Sequence, residues 1–219
     1  MVVAIDGPSA SGKSTVARRV AAELGALCVD SGAMYRGVTW QALRAGVDTR
    51  DGAAVARLLA GTAAATYVAE GAVRLKLAGT DPARELRTPE VTDHVSFVAA
   101  VPQVRARVGA WLRDAARLGD LVVEGRDIGT AVFPETRFKF YLDAAPDERA
   151  RRRHAELAGA GGNGAVREVK RALERRDAID SGREADPLRA APDATVIDST
   201  RITVDEVVRL IAARVRQEG

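Results

Sequence analysis

Residues 2–15 read VVAIDGPSASGKST. Val2, Val3, Ala4 and Ile5 form a short, largely β-branched apolar run of the kind that makes a strand buried on both faces. Gly7-Pro8-Ser9-Ala10-Ser11-Gly12-Lys13-Ser14, followed by Thr15, then fits G-x-x-x-x-G-K-[ST] without a mismatch. Beyond it Val16, Val20 and Leu24 recur at helical spacing beside Ala17 and Ala21, Arg18, Arg19 and Glu23 point elsewhere, and Gly25 stands where such a helix would stop. A strand running through a glycine-rich loop into a helix is the context a phosphate-binding loop requires. The glycines let backbone N–H groups converge on phosphate oxygens, and the helix N-terminus adds partial positive charge. Lys13 would reach the β- and γ-phosphates and the Ser14 hydroxyl would ligate Mg²⁺. A chance Gly/Ser-rich turn is the competing reading, and a full match in the right strand–helix setting weighs heavily against it. The stretch implies binding of a nucleoside triphosphate.

Working outward, Leu27-Cys28-Val29-Asp30 reads as a second short strand, and a helix is expected from Ala33 to about Ala45 with Ser31 as its cap. A helix over Asp51 to Leu59 follows. From Thr62 to Leu86 apolar and polar residues alternate around Glu70-Gly71, the pattern of a half-exposed hairpin, with a third short strand ending near Leu86. An antiparallel insert over residues 62–88 is expected as a small subdomain. Thr88-Pro89-Glu90 has the form of a helix start, and helices are expected over Glu90 to Ala100 and Pro102 to Leu118. Leu121 to Gly125, Arg137 to Leu142 and Thr195 to Asp198 read as three more strands, with helices from Pro146, from Ala165 to about Ile179, and over Val204 to Val215. Strand, helix, strand repeated in this way predicts a three-layer α/β/α fold on a five-stranded parallel sheet with right-handed crossovers. Residues 1–219 are expected to form one core, and the glycine cluster Gly159 to Gly164 marks a short lid over 155–167.

Bulk properties narrow the class. No apolar run approaches the roughly 20 residues needed to cross a bilayer, and no leader-like N-terminal segment is visible. A cytoplasmic location and no membrane partner are the expectation. The single cysteine, Cys28, excludes an internal disulfide, and with only His94 and His154 a Cys/His zinc site is not expected. Cys28 reads as core filler. Only Lys13, Lys76, Lys139 and Lys170 are lysines among 33 basic residues. Nucleotide bias in the coding genome explains such a skew; so does a need for bidentate phosphate grips.

Position separates these explanations better than counts do. Arg36 falls just after the second strand, Arg126 at the end of the strand Leu121 to Glu124, and Arg183 in the loop after the last lid-side helix. Arg176, Asp180 and Arg183 are spaced i, i+4, i+7. In open α/β sheets the carboxyl ends of strands are where ligands bind. For one arginine a solvated ion pair is the better explanation; several converging on one cleft suit the joining of two phosphate-bearing substrates. A small-molecule kinase acting on a nucleotide or on a metabolite such as shikimate fits. A regulatory GTPase does not, because Asn163 is the only asparagine and no N-K-x-D motif exists. Nucleic-acid binding is not expected either, since basic and acidic residues are interleaved and most aromatics sit in apolar runs.

The segments IDGPSASGKST, LCVDSGAMYR, ELRTPEV with SFVAAVPQVR, VVEGRDIGTAVFP, and ERRDAIDSGREADPL with VIDST span nearly the whole chain. In that order they resemble the bacterial cytidylate kinases, of the nucleoside monophosphate kinase group. DSGAMYR and EGRDIGT are far more specific than the phosphate loop. The resemblance implies transfer of the ATP γ-phosphoryl group to CMP or dCMP, with Mg²⁺. It implies ATP contacts from Gly7 to Thr15, with Arg149 and Arg153 added from the lid side. It further implies that Ser96, Arg105 and Asp127 read cytosine, that Arg176 and Asp180 hold the ribose, and that Arg36, Arg126 and Arg183 grip the acceptor phosphate beside Ser31. Lys13, Arg36, Arg126 and Arg183 would be the catalytic cations. Asp30 and Glu124 are candidates to meet Mg²⁺ through water, and a monomer is expected. Ile179 and Ser181-Gly182 depart from the more charged residues of the family pattern.

Overall fold

The computed structural model describes residues 1–159 and 165–218. Among these, seven strands form one sheet: β1 (Val2–Asp6), β2 (Leu27–Asp30), β3 (Ala64–Ala69), β4 (Ala72–Leu77), β5 (Leu121–Gly125), β6 (Phe138–Asp143) and β7 (Thr195–Asp198), in the order β3-β4-β2-β5-β1-β6-β7. Five of them, β2-β5-β1-β6-β7, form a continuous parallel ladder, as the alternation of strand and helix requires. The helices are α1 (Lys13–Leu24), α2 (Ser31–Arg44), α3 (Gly52–Ala60), α4 (Pro89–Ala99), α5 (Pro102–Ala115), α6 (Pro146–Gly159), α7 (Val166–Gly182) and α8 (Val204–Glu218). None is long and apolar enough to cross a membrane. Part of the expected lid, residues 160–164, lies outside the described residues.

Alternation along the strands sorts side chains into two cores. Val3, Ile5, Val122, Phe140 and Leu142 pack against α1 and α8, while Ala4, Val29, Leu121 and Val123 pack against α2, α4 and α5. Val3, Ala4 and Ile5 of β1 are fully buried between the two cores, which is why this run is apolar on both faces.

Two expectations change. The hairpin β3–β4 does not stand apart from the sheet: β4 lies parallel to β2 through Cys28↔Ala72, and the Cys28 N–H donates to the Gly71 carbonyl at 2.9 Å. The unpaired edge of β2 is thereby covered, and edge pairing stabilises what alternation alone cannot report. The expected strand ending near Leu86 is absent. Residues 82–88 turn instead, with the N–H groups of Glu85 and Leu86 donating to Pro82 O.

The entry to α2 also differs. Asp30, not Ser31, is the cap, its Oδ1 accepting the Ala33 N–H at 2.8 Å. Ser31 is the first helical residue, and its hydroxyl instead donates to Glu124 O at 2.7 Å, tying α2 to the end of β5. After β5 the chain makes one wide turn over Ile128–Val132 with π-helical hydrogen bonding, anchored by Asp6, whose two carboxylate oxygens accept the N–H groups of Ile128 (2.8 Å) and Gly129 (2.7 Å).

Candidate active site

The carboxyl ends of β1, β2 and β5 open onto a cavity of about 480 Å³. One wall is the loop between β1 and α1. Gly7 is obligatory there, because a Cβ would lie 2.1 Å from Leu142 O, and Gly12 begins α1 at φ 97°. Lys13 is almost wholly buried, and its ammonium donates to Pro8 O at 2.6 Å and Ser11 Oγ at 3.3 Å. Burial, reinforced by the charge of Arg126, pulls its amine down to about 7. The Ser14 hydroxyl donates to Glu124 Oε1. Burial raises Glu124, and the nearby Asp30 adds to this. Asp30 is buried too, but Arg36 and the Ala33 N–H hold its carboxyl below the usual range.

The opposite wall is cationic. Arg36, Arg87, Arg126, Arg153, Arg176 and Arg183 all line the cavity. Carboxylates set their positions. Arg36 meets Asp30 at 2.7 Å, Arg126 Nε meets Asp180 at 2.9 Å, and Arg183 reaches Asp127 at 3.3 Å. The Nε atoms of Arg36 and Arg176 are buried without a hydrogen-bond partner. Burial lowers Arg176 to about 10, with Arg126 adding to the effect. Buried guanidinium donors left free beside one cavity suit an anionic ligand.

At the far end, α4 contributes Thr92, Val95, Ser96 and Ala99 to the lining. Arg105 on α5 is 5 % exposed and donates to Asp127, to Asp186 Oδ2 at 3.0 Å and to Ala99 O at 3.2 Å, with Tyr35 beneath its guanidinium at 5.7 Å. Burial raises Asp127, opposed by Arg105 and Arg183.

Most of the residues expected from sequence meet at this cavity: Ser9, Ala10, Gly12, Lys13, Ser14 and Thr15 from the loop, with Ser31, Arg36, Ser96, Arg126, Asp127, Arg153, Arg176, Asp180 and Arg183. Gly7, Pro8 and Ser11 shape the loop from behind. Two arginines are placed differently. Arg105 stands behind Asp127 rather than on the wall. Arg149 is turned into the protein, where it donates to Ala144 O at 3.1 Å and Ser9 O at 3.0 Å. Its position on α6, one helical turn before Arg153, could not reveal that. Sequence reasoning passed over Arg18, Tyr35, Arg87 and Thr92, which also line the cavity. The ELRTPEV segment contains Arg87 and was the available signal.

Ser14, Asp30 and Glu124 present only oxygen donors to the cavity, the chemistry Mg²⁺ prefers when one or two carboxylates share it with substrate phosphates. The described residues contain no cluster of three or more His, Cys, Asp or Glu that would hold a metal alone.

A phosphate loop at the centre of a parallel sheet, facing an arginine-lined wall across one cavity, defines a P-loop phosphotransferase. The sequence profile described as cytidylate kinase matches residues 3–217. A protein of Pelotomaculum thermopropionicum named cytidylate kinase is 47% identical over 214 residues, 97% of this chain and 95% of that protein. One of Streptomyces avermitilis with the same name is 40% identical over 220 residues, 100% of this chain and 94% of that protein. A bifunctional pantoate ligase/cytidylate kinase of Synechococcus is 45% identical over 99% of this chain, which covers 43% of that longer protein. The chain belongs to the cytidylate kinase family.

Proposed function

We propose that the protein transfers the γ-phosphoryl group of ATP to CMP, and to dCMP, giving the nucleoside diphosphate and ADP. The observation that carries this is the convergence, in one cavity, of the phosphate loop with Arg36, Arg126, Arg176 and Arg183. Phosphoryl transfer asks a protein for alignment and for neutralisation of charge on the transferred group rather than for a covalent step. An anionic acceptor phosphate needs no general base.

In this reading the loop from Gly7 to Thr15 cradles the donor phosphates and Lys13 neutralises the transferred group. Contact with an anion would restore the positive charge that burial suppresses at Lys13. Arg36, Arg126 and Arg183 hold the acceptor phosphate beside Ser31, and Arg126 stands between the two phosphates because it also touches Ser9. Arg176 and Asp180 hold the ribose. Ser96 and Asp127 meet the cytosine, Asp127 accepting from the exocyclic amine and Arg105 donating behind it. Arg153 reaches the ATP side. Ser14, with Asp30 and Glu124 beside it, would hold Mg²⁺, which would supply further charge neutralisation on the phosphates. The same reading takes the protein as a cytoplasmic monomer acting on small molecules, with no nucleic-acid or membrane partner.

The test is a coupled ADP-release assay with Mg-ATP and each nucleoside monophosphate in turn. Fast turnover with CMP and dCMP, weak turnover with UMP and little with AMP or GMP is expected. Preference for another monophosphate would remove the base-site roles of Ser96, Arg105 and Asp127. No stimulation by any monophosphate would remove the kinase reading altogether.

A further inference from the structure

Ser9 is held at three atoms by three separate elements. Its N–H donates to Asp177 Oδ1 on α7 at 3.0 Å, and its carbonyl accepts from Arg149 on α6 at 3.0 Å. Its hydroxyl accepts from Arg126 at the end of β5 at 2.9 Å. Arg149 and Asp177 are themselves paired, closing a ring around the Ser9 peptide. The next residue, Ala10, sits at φ 60°, a conformation that costs a non-glycine residue about 1 kcal/mol or more. It packs on the small apolar cluster of Ala150, Val169 and Leu173, which joins α6 to α7.

An ordinary surface ion pair would be well exposed and screened. The side chains of Arg149 and Asp177 are 10% and 16% exposed, and both are spent on loop backbone rather than on solvent. Helical geometry supplies the consequence. Asp177 directs its carboxylate at the loop, while Arg176 and Asp180 on the same helix line the cavity. Asp180 also holds Arg126, which holds Ser9, so α7 is joined to the loop twice within one turn.

We infer that the Arg149–Asp177 pair locks the α6–α7 pair onto the phosphate loop at Ser9, making Asp177 a positioning residue that sets Arg176 and Asp180 relative to the donor phosphates. The lock follows from the geometry. Its effect on turnover rests on the kinase reading. Phosphoryl transfer is sensitive to such placement, since a misplacement of about 1 Å can cost about 10²-fold in rate. With the lock intact, the loop that receives the donor and the helix that receives the acceptor are one rigid unit.

The test uses Asp177→Ala, Asp177→Asn and Arg149→Lys in the full chain. In Asp177→Ala, amide hydrogen exchange measured without nucleotide is expected to quicken about tenfold in the phosphate loop and in α7, but not in β1 or α8. The KM for ATP and the KM for CMP should both rise about tenfold, and kcat should fall by about ten- to a hundredfold. Asp177→Asn keeps an oxygen to accept the Ser9 N–H but turns an amide donor toward Arg149, and should recover only part of each change. Arg149→Lys loses the fork and should show the same pattern, more weakly. A merely structural role would lower the melting temperature and leave both KM values within about twofold. That result, with unchanged exchange in Asp177→Ala, would overturn the lock. Absence of any monophosphate-stimulated ADP release in the unsubstituted protein would sink the kinase reading instead, and the exchange data would still decide the lock.

Discussion

The two walls of the cavity are built from different materials. In the proposed reading the donor side is one continuous stretch, Gly7 to Thr15, whose working groups would be backbone N–H donors set by glycine geometry and a helix N-terminus. The side this reading gives to the acceptor is assembled from side chains on β2, α2, α4, β5 and α7, positioned by ion pairs such as Arg126–Asp180 and Arg36–Asp30. Backbone donors cannot be lost to substitution and carry no net charge to compensate. Side-chain cages can be tuned to a particular acceptor, but removing one member leaves its partner buried and unpaired. Such a division suits an enzyme with a common donor and a selective acceptor.

The largest expected effect tests the charged side chain of the phosphate loop. Lys13→Met should lower kcat by about 10²- to 10³-fold, the range seen when a single charge-stabilising group is removed. It should destabilise the fold by no more than about 1 kcal/mol, because burial already drives the amine down to about 7. Chemical denaturation alongside the ADP-release assay separates the two, and a large loss of stability would show that Lys13 is a structural residue first.

On the acceptor wall, Asp180→Ala removes the partner of Arg126 and Arg183. The KM for CMP should rise roughly a hundredfold, corresponding to about 2–3 kcal/mol, with a much smaller change for ATP. Equal changes in both would erase the distinction between the walls.

Arg105→Met probes selectivity further from the reacting phosphates. Asp127 would lose its strongest partner, and the preference for CMP over UMP should fall about tenfold. An unchanged preference in parallel initial-rate assays would show that this end of the cavity does not read the base.

Smallest on turnover is the effect expected at Asp6. Burial raises its carboxyl from 3.8 to about 6 against the lowering effect of the Gly129 and Ile128 N–H groups. The folded chain therefore holds this proton more tightly than the unfolded chain does. The resulting stabilisation is complete below pH 3.8 and is lost as pH rises through about 6. Relative to Asp6→Asn, the wild type should lose at most about 3 kcal/mol between pH 4 and pH 7. Urea denaturation at several pH values reads this difference directly, and a gap that stays constant with pH would place the Asp6 titration outside this range.

The same division explains what could be read from the chain. The loop was legible because contiguous residues carry both its conformation and its chemistry. Arg36, Arg126, Asp180 and Arg183 were legible because strand ends and helical spacing announce a cleft. Arg149 was not: one turn separates it from Arg153 on α6, yet one points at Ser9 and the other at the cavity. Helical phase is visible in the sequence, but what stands opposite each face is not. Ser31 likewise has the residue type of a cap, and only the approach of Glu124 O gives its hydroxyl a different partner. Asp177 gave no signal beyond its charge, since its partners Ser9 and Arg149 lie 168 and 28 residues away.

By itself, then, the sequence determined the five parallel strands, the helices between them and the phosphate loop, because these depend on local periodicity and on glycines at fixed spacing. Tertiary structure alone decided that the hairpin joins the sheet edge at Cys28, and that Arg105 is engaged behind Asp127. It also decided that α6 and α7 close on the loop through Ser9. Those outcomes rest on charge pairing and hydrogen bonding between segments far apart in the chain, whose energies depend on distance and burial that no local pattern encodes.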